Sequence, residues 1–330
     1  MFSRIVNEFT DLPVSRQALL VTAGVGGIAL FSAGAYLAKR HIENTPPKQW
    51  RKAGELAELY VFPIKSCAPV VLQQIACSDL GLQRNLLRDR IFMVTNPDGK
   101  FVTARMKPKM VLVQPRFDER FETMFLTAPG MPELRVDIRA LMKPGGELEA
   151  GRSTVWGETV PTVDCGQEAA RWFSRYLLDK DDGYRLRYYP LDYTSRRRNG
   201  ADTGSLQDET SYMLFNEASV ADLNQRLENK VTSLQFRPNF IVRGPEAYAE
   251  DRWRWVRIGE TIFRYEKPCL RCIFTTIDPE SGVAHPDKEP LRTLKQYRQI
   301  PSLGESPALG IHLGVRRAGE VKVGDPVYFA

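Results

Sequence analysis

Residues 90–104 have the sequence Arg90-Ile91-Phe92-Met93-Val94-Thr95-Asn96-Pro97-Asp98-Gly99-Lys100-Phe101-Val102-Thr103-Ala104. Two runs rich in β-branched and aromatic residues, over 90–95 and 100–104, flank the turn sequence Asn96 to Gly99. Such runs favour strands, and a short Asn-Pro-Asp-Gly connection between them favours a tight turn, because Gly tolerates the positive φ that tight turns need. This stretch therefore predicts a β-hairpin and indicates a β-rich fold.

Short strand candidates continue on both sides of the hairpin, over 59–64, 70–77, 110–113, 124–127, 134–138, 240–242, 261–265, 273–277 and 321–329. Two amphipathic helices interrupt them, over Gln167–Leu178 and about Glu217–Lys230, and Asn216 is a suitable N-cap for the second. Many short strands separated by turn residues favour a β-barrel or a sandwich. A boundary near 178–184 would divide them between two domains.

The composition fits a globular protein with about two domains, because the chain has 330 residues and 43% of them are hydrophobic. Five scattered cysteines do not form a disulfide framework and indicate a reducing compartment. The net charge is +6, but Lys and Arg are mostly interleaved with Asp and Glu, which argues against a nucleic-acid partner. The exception is Arg196-Arg197-Arg198, either a solvated loop or a docking patch for an acidic partner.

Residues 17–38 contain no charged side chain. A helix of that length can cross about 30 Å of hydrocarbon. The basic pair Lys39-Arg40 follows this segment instead of preceding it, which differs from a cleavable signal peptide and places the rest of the chain in the cytosol. We therefore predict an N-terminal segment over 1–16, a transmembrane signal anchor over 17–38, a basic linker over 39–53, and domains over 54–178 and 179–330.

The clearest chemical motif is Cys269-Leu270-Arg271-Cys272, which precedes the strand predicted over 273–277. A thiolate beside a guanidinium can ligate a soft metal or act as a nucleophile, because the cation favours deprotonation. Zinc needs about four ligands, and the sequence has no second Cys-x-x-Cys or His pair. A thioredoxin-like site should open a helix after a strand, and here the motif precedes the predicted strand.

Five segments occur in a diagnostic order: Tyr60-Val61-Phe62-Pro63-Ile64-Lys65-Ser66-Cys67, Leu86-Leu87-Arg88-Asp89-Arg90, Asn216-Glu217-Ala218-Ser219-Val220-Ala221-Asp222-Leu223-Asn224, Phe236-Arg237-Pro238-Asn239 and Cys269-Leu270-Arg271-Cys272. This series resembles proteins with a molybdenum cofactor sulfurase C-terminal (MOSC) domain, and the resemblance covers nearly everything after residue 53. It implies a mixed α+β, β-rich fold: a transmembrane helix, an N-terminal β-barrel domain and a C-terminal β-barrel MOSC domain with flanking helices.

The resemblance also implies a cofactor, mononuclear molybdenum on a molybdopterin, which is a phosphate-bearing pyranopterin dithiolene. The metal-ligand position of the family falls on Cys272. Its cofactor-contacting positions fall on Lys65, Ser66, Arg90, Thr210, Ser211, Arg237, Asn239, Leu270 and Arg271, with Leu270 contributing only its backbone. The cationic side chains among these suit phosphate oxygens, and an amide can both donate to and accept from a pterin ring. Asp208 is predicted to line the substrate opening.

The function implied by the resemblance is reduction of N-hydroxylated compounds such as amidoximes and hydroxylamines. Electrons would come from a b5-type cytochrome and its NADH-dependent reductase, at the mitochondrial outer membrane or, alternatively, at peroxisomes or endoplasmic reticulum. A second hypothesis is a tethered carrier of the molybdenum cofactor or of sulfur, without turnover. A third is a dithiol oxidoreductase that uses Cys269 and Cys272.

Overall fold

The computed structural model describes residues 44–142, 150–190 and 204–330. The anchor predicted over 17–38 and the basic patch Arg196–Arg198 lie outside the described residues. The strands are β1 Arg51–Val61, β2 Val70–Val71, β3 Gln74–Ser78, β4 Gly81–Arg84, β5 Leu87–Arg88, β6 Phe92–Thr95, β7 Phe101–Val102, β8 Gln114–Phe117, β9 Thr123–Thr127, β10 Leu134–Asp137, β11 Ala150–Val155, β12 Glu158–Asp164, β13 Arg185–Tyr188, β14 Tyr212–Asn216, β15 Phe240–Arg243, β16 Trp255–Ile258, β17 Thr261–Leu270, β18 Ala308–Arg317, β19 Gly319–Lys322 and β20 Pro326–Phe329.

The α-helices are α1 Ile138–Leu141, α2 Gln167–Leu178, α3 Glu217–Asn224 and α4 Leu291–Tyr297. The 3₁₀-helices are η1 Pro108–Leu112, η2 Ser233–Phe236, η3 Ala249–Arg252, η4 Ile273–Thr276 and η5 Pro301–Leu303. The prediction for α2 is confirmed at both ends. Helix α3 is shorter than predicted, but the side chain of Asn216 caps it as expected by accepting from the Ala218 N–H at 3.1 Å.

The described structure does not support the transmembrane helix of the predicted fold class. No helix in the part of the chain that the structure describes is long and apolar enough to cross a membrane. The longest of them, α2, has 12 residues and is about 18 Å long, whereas a bilayer core is about 30 Å thick. The corrected fold class is a β-rich, two-domain fold, without an assigned transmembrane helix.

The first group of strands forms a small barrel. Strands β11, β12, β13, β6 and β7 pair in that order, each antiparallel to the next, and a bridge between Lys100 and Thr154 joins the two edges. The predicted hairpin is confirmed, because β6 pairs with β7 through Val94 and Val102. A three-stranded sheet, β8 to β10, and helix α2 complete this half around a shared apolar core.

The second group of strands forms a closed seven-stranded barrel, in the order β15-β14-β18-β17-β16-β20-β1 with β1 returning to β15. Strand β1 thus belongs to the barrel of the second half, although it precedes the first half in the chain. Just after β1, Phe62 packs in a core beside β14 and Ile64 packs in the core of the first half, so these residues lie beside both halves. This placement positions the site described below.

Two predicted strands are wrong, since residues 110–113 lie largely in η1 and residues 273–277 largely in η4. Pro108 begins η1, where its fixed φ suits the first helical turn. In η4 the hydroxyls of Thr275 and Thr276 donate to the carbonyls of Cys272 and Ile273, at 3.0 Å and 2.8 Å. Such local bonds offer the backbone an alternative to a strand ladder.

Candidate functional site

A cavity of about 400 Å³ opens where the end of β1, the end of β17 and the β11–β12 turn meet. Nine of the ten predicted cofactor-contacting residues line it: Lys65, Ser66, Arg90, Thr210, Arg237, Asn239, Leu270, Arg271 and Cys272. Ser211 does not line the cavity, because its hydroxyl turns away and donates to the Asp79 carbonyl at 2.7 Å. Asp208, predicted to line the substrate opening, also lines this cavity.

Three cavity residues have a left-handed backbone conformation. The φ angles are 70° for Ser66, 49° for Arg90 and 55° for Arg237. Non-glycine residues rarely adopt this region, and where they do so the surrounding structure must hold them there. Here the Arg90 N–H donates to the Phe62 carbonyl at 2.7 Å, and the Arg237 N–H donates to the Leu234 carbonyl at 3.1 Å. Strained backbone of this kind concentrates at functional sites.

The ring of Phe62 is shared by two guanidinium groups. The guanidinium carbons of Arg90 and Arg237 lie 4.7 Å and 4.1 Å from the centroid of this ring. Arg90 forms a salt bridge with Asp89, whose carboxylate also accepts from the Phe62 N–H at 2.8 Å. The network fixes the position of Arg90, and it brings a second cation close to Arg237.

Arg237 is a cavity cation with one hydrogen-bond donor left unsatisfied. Its Nη1 atom donates to the Cys67 carbonyl at 2.6 Å, whereas its Nη2 atom is buried and has no hydrogen-bond partner. Burial, together with the nearby charge of Arg90, lowers the pKa of Arg237 to about 9. A buried donor without a partner is costly, so this position favours a ligand that supplies an acceptor and negative charge.

Elsewhere in the cavity wall, Asp208 connects three side chains. It forms salt bridges with Lys65 and with Arg105, the latter at 3.0 Å, and it accepts from the Trp156 indole N–H at 2.9 Å. Burial of the carboxyl opposes its ionisation, but Lys65 and the other donors outweigh burial and hold the pKa of Asp208 well below its usual range. The turn between β11 and β12 supplies Trp156, so the first half contributes directly to this wall.

Asn239 and Thr210 are engaged by the protein itself. The Asn239 side chain accepts from the Met213 N–H at 3.1 Å and donates to the Tyr60 carbonyl at 3.2 Å, which ties β14 to the end of β1. One amide N–H of Asn239 is left for a ligand. The Thr210 hydroxyl donates to the Tyr212 carbonyl at 2.9 Å and lies 3.1 Å from the His312 ring.

The two motif cysteines differ in exposure, since Cys269 is buried within β17 and Cys272 is exposed after it. Burial raises the pKa of Cys269. Arg271 braces the loop between them, because its side chain donates to the carbonyls of Leu309 and Phe236, at 2.8 Å and 2.9 Å. Both cysteines are free thiols. Both thiols line the cavity, and Cys272 is the exposed one.

The position of the motif corrects the argument made from sequence against a dithiol site. Strand β17 runs to Leu270, so the motif begins in the last two residues of a strand and is followed by the four residues of η4. The thioredoxin-like arrangement needs an α-helix at this point, and a short 3₁₀-helix does not provide one. A buried Cys269 with a raised pKa also disfavours thiol exchange.

The charge and donor set of the cavity fit an anionic, metal-bearing ligand. Five cationic side chains line the cavity, namely Lys65, Arg90, Arg105, Arg237 and Arg271, against the two carboxylates Asp208 and Glu209. The described residues contain no group of three or more His, Cys, Asp or Glu side chains placed to hold a metal ion. Cys272 can supply one soft ligand, so further ligands would have to belong to the bound group. A phosphate-bearing dithiolene is anionic and supplies sulfur ligands of its own, so it meets both requirements.

Sequence reasoning missed Trp156, Arg105 and His312, which also line the cavity. Trp156 and Arg105 come from the first half, where neither lies in a recognisable motif. His312 lies in β18, a strand that was not predicted because Gly310 and Gly314 interrupt its apolar pattern. The scarcity of histidine, with three in the chain, was the one available signal for His312.

Comparison with known proteins agrees with this geometry. Residues 53–180 match the family model of the MOSC N-terminal beta barrel domain, and residues 201–328 match that of the MOSC domain. The chain is therefore built from the tandem pair of domains that defines one class of MOSC proteins.

Curated relatives narrow this class. The chain is 35% identical to mitochondrial amidoxime-reducing component 1 of Homo sapiens, over 99% of this chain and 97% of that protein. It is 39% identical to mitochondrial amidoxime reducing component 2 of Bos taurus, over 85% and 84% of the two chains. The counterpart in Rattus norvegicus is 35% identical over 96% and 95%. The chain belongs to the MOSC-domain family of mitochondrial amidoxime-reducing components.

Proposed function

We propose that this protein is a molybdenum-cofactor-dependent reductase of N-hydroxylated compounds, amidoximes and hydroxylamines among them. The observation that carries the proposal is the cavity in which one exposed thiol, Cys272, lies among cationic side chains that outnumber the carboxylates. The names of the relatives, which are amidoxime-reducing components, support the substrate class. The same names support a mitochondrial location.

The cofactor would be held by residues of both halves. Cys272 would ligate molybdenum through its thiolate, the soft ligand that such a metal takes. Arg237, with its unpartnered Nη2 atom, would bind phosphate together with Arg90, because a guanidinium offers paired donors to phosphate oxygens. The remaining amide N–H of Asn239 would donate to the pterin. Arg271, whose donors are taken by backbone carbonyls, would position Cys272 and act on the cofactor only through its charge.

When bound, the cofactor would supply the two electrons that cleave an N–O bond. Reduction of an N-hydroxyl group to an N–H group consumes two electrons and two protons and releases one water molecule. The Trp156 ring and the Arg105 stem would cover one side of the cavity and limit the access of water. Asp208 would keep the charge of Lys65 in place, through a salt bridge that persists across the physiological pH range.

The electrons would come from NADH through a flavin reductase and a b5-type cytochrome, as the family resemblance implies. Cys272 is exposed and the neighbouring Leu270 is 39% exposed. An electron donor can therefore approach the proposed metal position from this side without unfolding any described element.

Reconstituted turnover tests the proposal. The protein is produced in a host that makes the molybdenum cofactor, and its molybdenum content is measured by elemental analysis. Reduction of benzamidoxime is then followed in the presence of NADH, the reductase and the cytochrome. We expect about one molybdenum per chain and formation of benzamidine. The control is the same protein from a cofactor-deficient host.

Two other outcomes would replace the proposal. Bound molybdenum with no reduction of benzamidoxime, hydroxylamine or another N-hydroxylated compound would favour a cofactor carrier. Protein without molybdenum that exchanges disulfides would favour the dithiol oxidoreductase.

A further inference from the structure

The ring of His312 lies on the barrel wall of the cavity. None of the contacts proposed above involves this ring. It projects from β18, opposite Met213 of β14, and lines the cavity. One ring nitrogen, Nδ1, lies 3.1 Å from the Thr210 hydroxyl. The other nitrogen, Nε2, forms no hydrogen bond to any described group.

The hydrogen bonds of Thr210 determine which nitrogen of this ring carries the proton. The Thr210 hydroxyl donates its one hydrogen to the Tyr212 carbonyl at 2.9 Å, since a carbonyl oxygen can only accept. The same hydroxyl can then only accept from His312, so Nδ1 carries the hydrogen. In a neutral ring Nε2 is consequently an acceptor with a free lone pair.

The surroundings keep this ring neutral. Burial, followed by the charges of Arg271 and Lys267, lowers the pKa of His312 to about 3. His312 is half-buried and lines the cavity, so its Nε2 atom, which bonds to no described group, is open to a ligand there. The cavity thus contains a fixed, uncharged acceptor among cations.

We infer that His312 Nε2 accepts a hydrogen bond from an N–H group of the pterin in the bound cofactor. Phosphate oxygens and dithiolene sulfurs cannot pair with this lone pair, because they are themselves acceptors, whereas a pterin ring carries N–H donors. His312 also lines the cavity together with Thr210 and Asn239, and Asn239 is the residue proposed above to donate to the pterin. The inference rests on the proposed function, which supplies the cofactor.

Two substitutions separate this role from a structural one. In His312→Gln the amide oxygen can reach the former position of Nε2, so the acceptor towards the ligand is restored. In His312→Asn the amide lies near the former position of Nδ1, so the contact with Thr210 is kept and the acceptor towards the ligand is lost. His312→Leu removes both contacts at similar volume and replaces the Asn variant if that protein does not fold.

The measurement is the rate at which molybdenum and pterin leave the purified holoprotein during dialysis, with folding checked by circular dichroism. We expect His312→Gln to lose both within about twofold of the wild-type rate, and His312→Asn to lose them about tenfold faster, the scale of one unmade hydrogen bond. Retention by both variants, or faster loss from His312→Gln alone, would overturn the inference.

A change confined to the KM for benzamidoxime, with unchanged cofactor loss, would also overturn it, since His312 would then contact substrate. If the wild-type protein contains no molybdenum, the proposed function fails together with the inference. The two failures are distinguishable. Absence of molybdenum from the wild-type protein refutes the proposed function, whereas failure of the inference alone appears only in the His312 variants.

Discussion

Replacing Arg237 with Met should stabilise the cofactor-free protein. Met is unbranched and of similar length, so it can occupy the same left-handed backbone position with comparable strain. Lowering the pKa of Arg237 from 12.5 to about 9 means that its charge costs about 5 kcal/mol in the folded state, at about 1.36 kcal/mol per pH unit. This cost is present below pH 9 and disappears as the pH rises towards 12.5, so it applies fully at pH 7.

Two favourable contacts would be lost with the guanidinium. The hydrogen bond to the Cys67 carbonyl contributes about 1 kcal/mol, and stacking on Phe62 contributes about 1 kcal/mol. Water in the cavity screens part of the charge, so the 5 kcal/mol is an upper value. We therefore expect Arg237→Met to raise the unfolding free energy of the cofactor-free protein by about 2 kcal/mol, measured by urea unfolding at pH 7.

The same substitution should remove molybdenum from the protein purified from a cofactor-producing host. Arg271→Met is the matched control, because the Arg271 side chain donates to the carbonyls of Leu309 and Phe236 and its loss leaves buried acceptors unpaired. Burial also lowers the pKa of Arg271, but its Nε, Nη1 and Nη2 atoms all donate to carbonyls, so this variant should destabilise the cofactor-free protein by about 1 to 3 kcal/mol. A cofactor-free Arg237→Met protein less stable than wild type, or one with full molybdenum content, would refute the reasoning.

Other predictions concern Asp208 and Cys269. Ionised Asp208 stabilises the fold above its ordinary pKa of 3.8, and this contribution is lost as the pH falls through its lowered pKa. Asp208→Asn should therefore lower the unfolding free energy at pH 7 by about 1 kcal/mol, and the difference should shrink below pH 4 in urea titrations. Cys269→Ala should cost about 1 to 2 kcal/mol of stability and leave the molybdenum content unchanged, because Cys269 acts as a small buried hydrophobe. Loss of metal from Cys269→Ala would assign that thiol a ligand role.

Local sequence patterns predicted a helix or hairpin correctly where the side chains pack as the pattern indicates. Helix α2 was predicted at both ends, because its apolar residues repeat at helical spacing. The hairpin of β6 and β7 followed from its turn residues. By contrast, residues 273–276 have strand-like composition, but their threonine hydroxyls bond locally and the segment is η4. Composition alone does not distinguish these alternatives.

The arrangement of the site depended on contacts between distant residues. The motif residues predicted from the resemblance converge because β1 pairs with β15 and β20 in the second barrel, a register that no local pattern indicates. Trp156 enters the cavity from a hairpin turn of the first half. Ser211, next to a cavity residue in sequence, lies just before β14, and its hydroxyl points away from the cavity because it donates to the Asp79 carbonyl. The direction of such a side chain depends on a contact between residues that are far apart in the sequence, which no local pattern indicates.

The thiolate of Cys272 as the protein ligand of molybdenum is the central claim, and the metal content of Cys272→Ala tests it most directly. Elemental analysis should find about one molybdenum per chain in the wild type and in Cys269→Ala, and almost none in a folded Cys272→Ala protein. A Cys272→Ala protein that retains wild-type molybdenum and reduces benzamidoxime at the wild-type rate would contradict the claim.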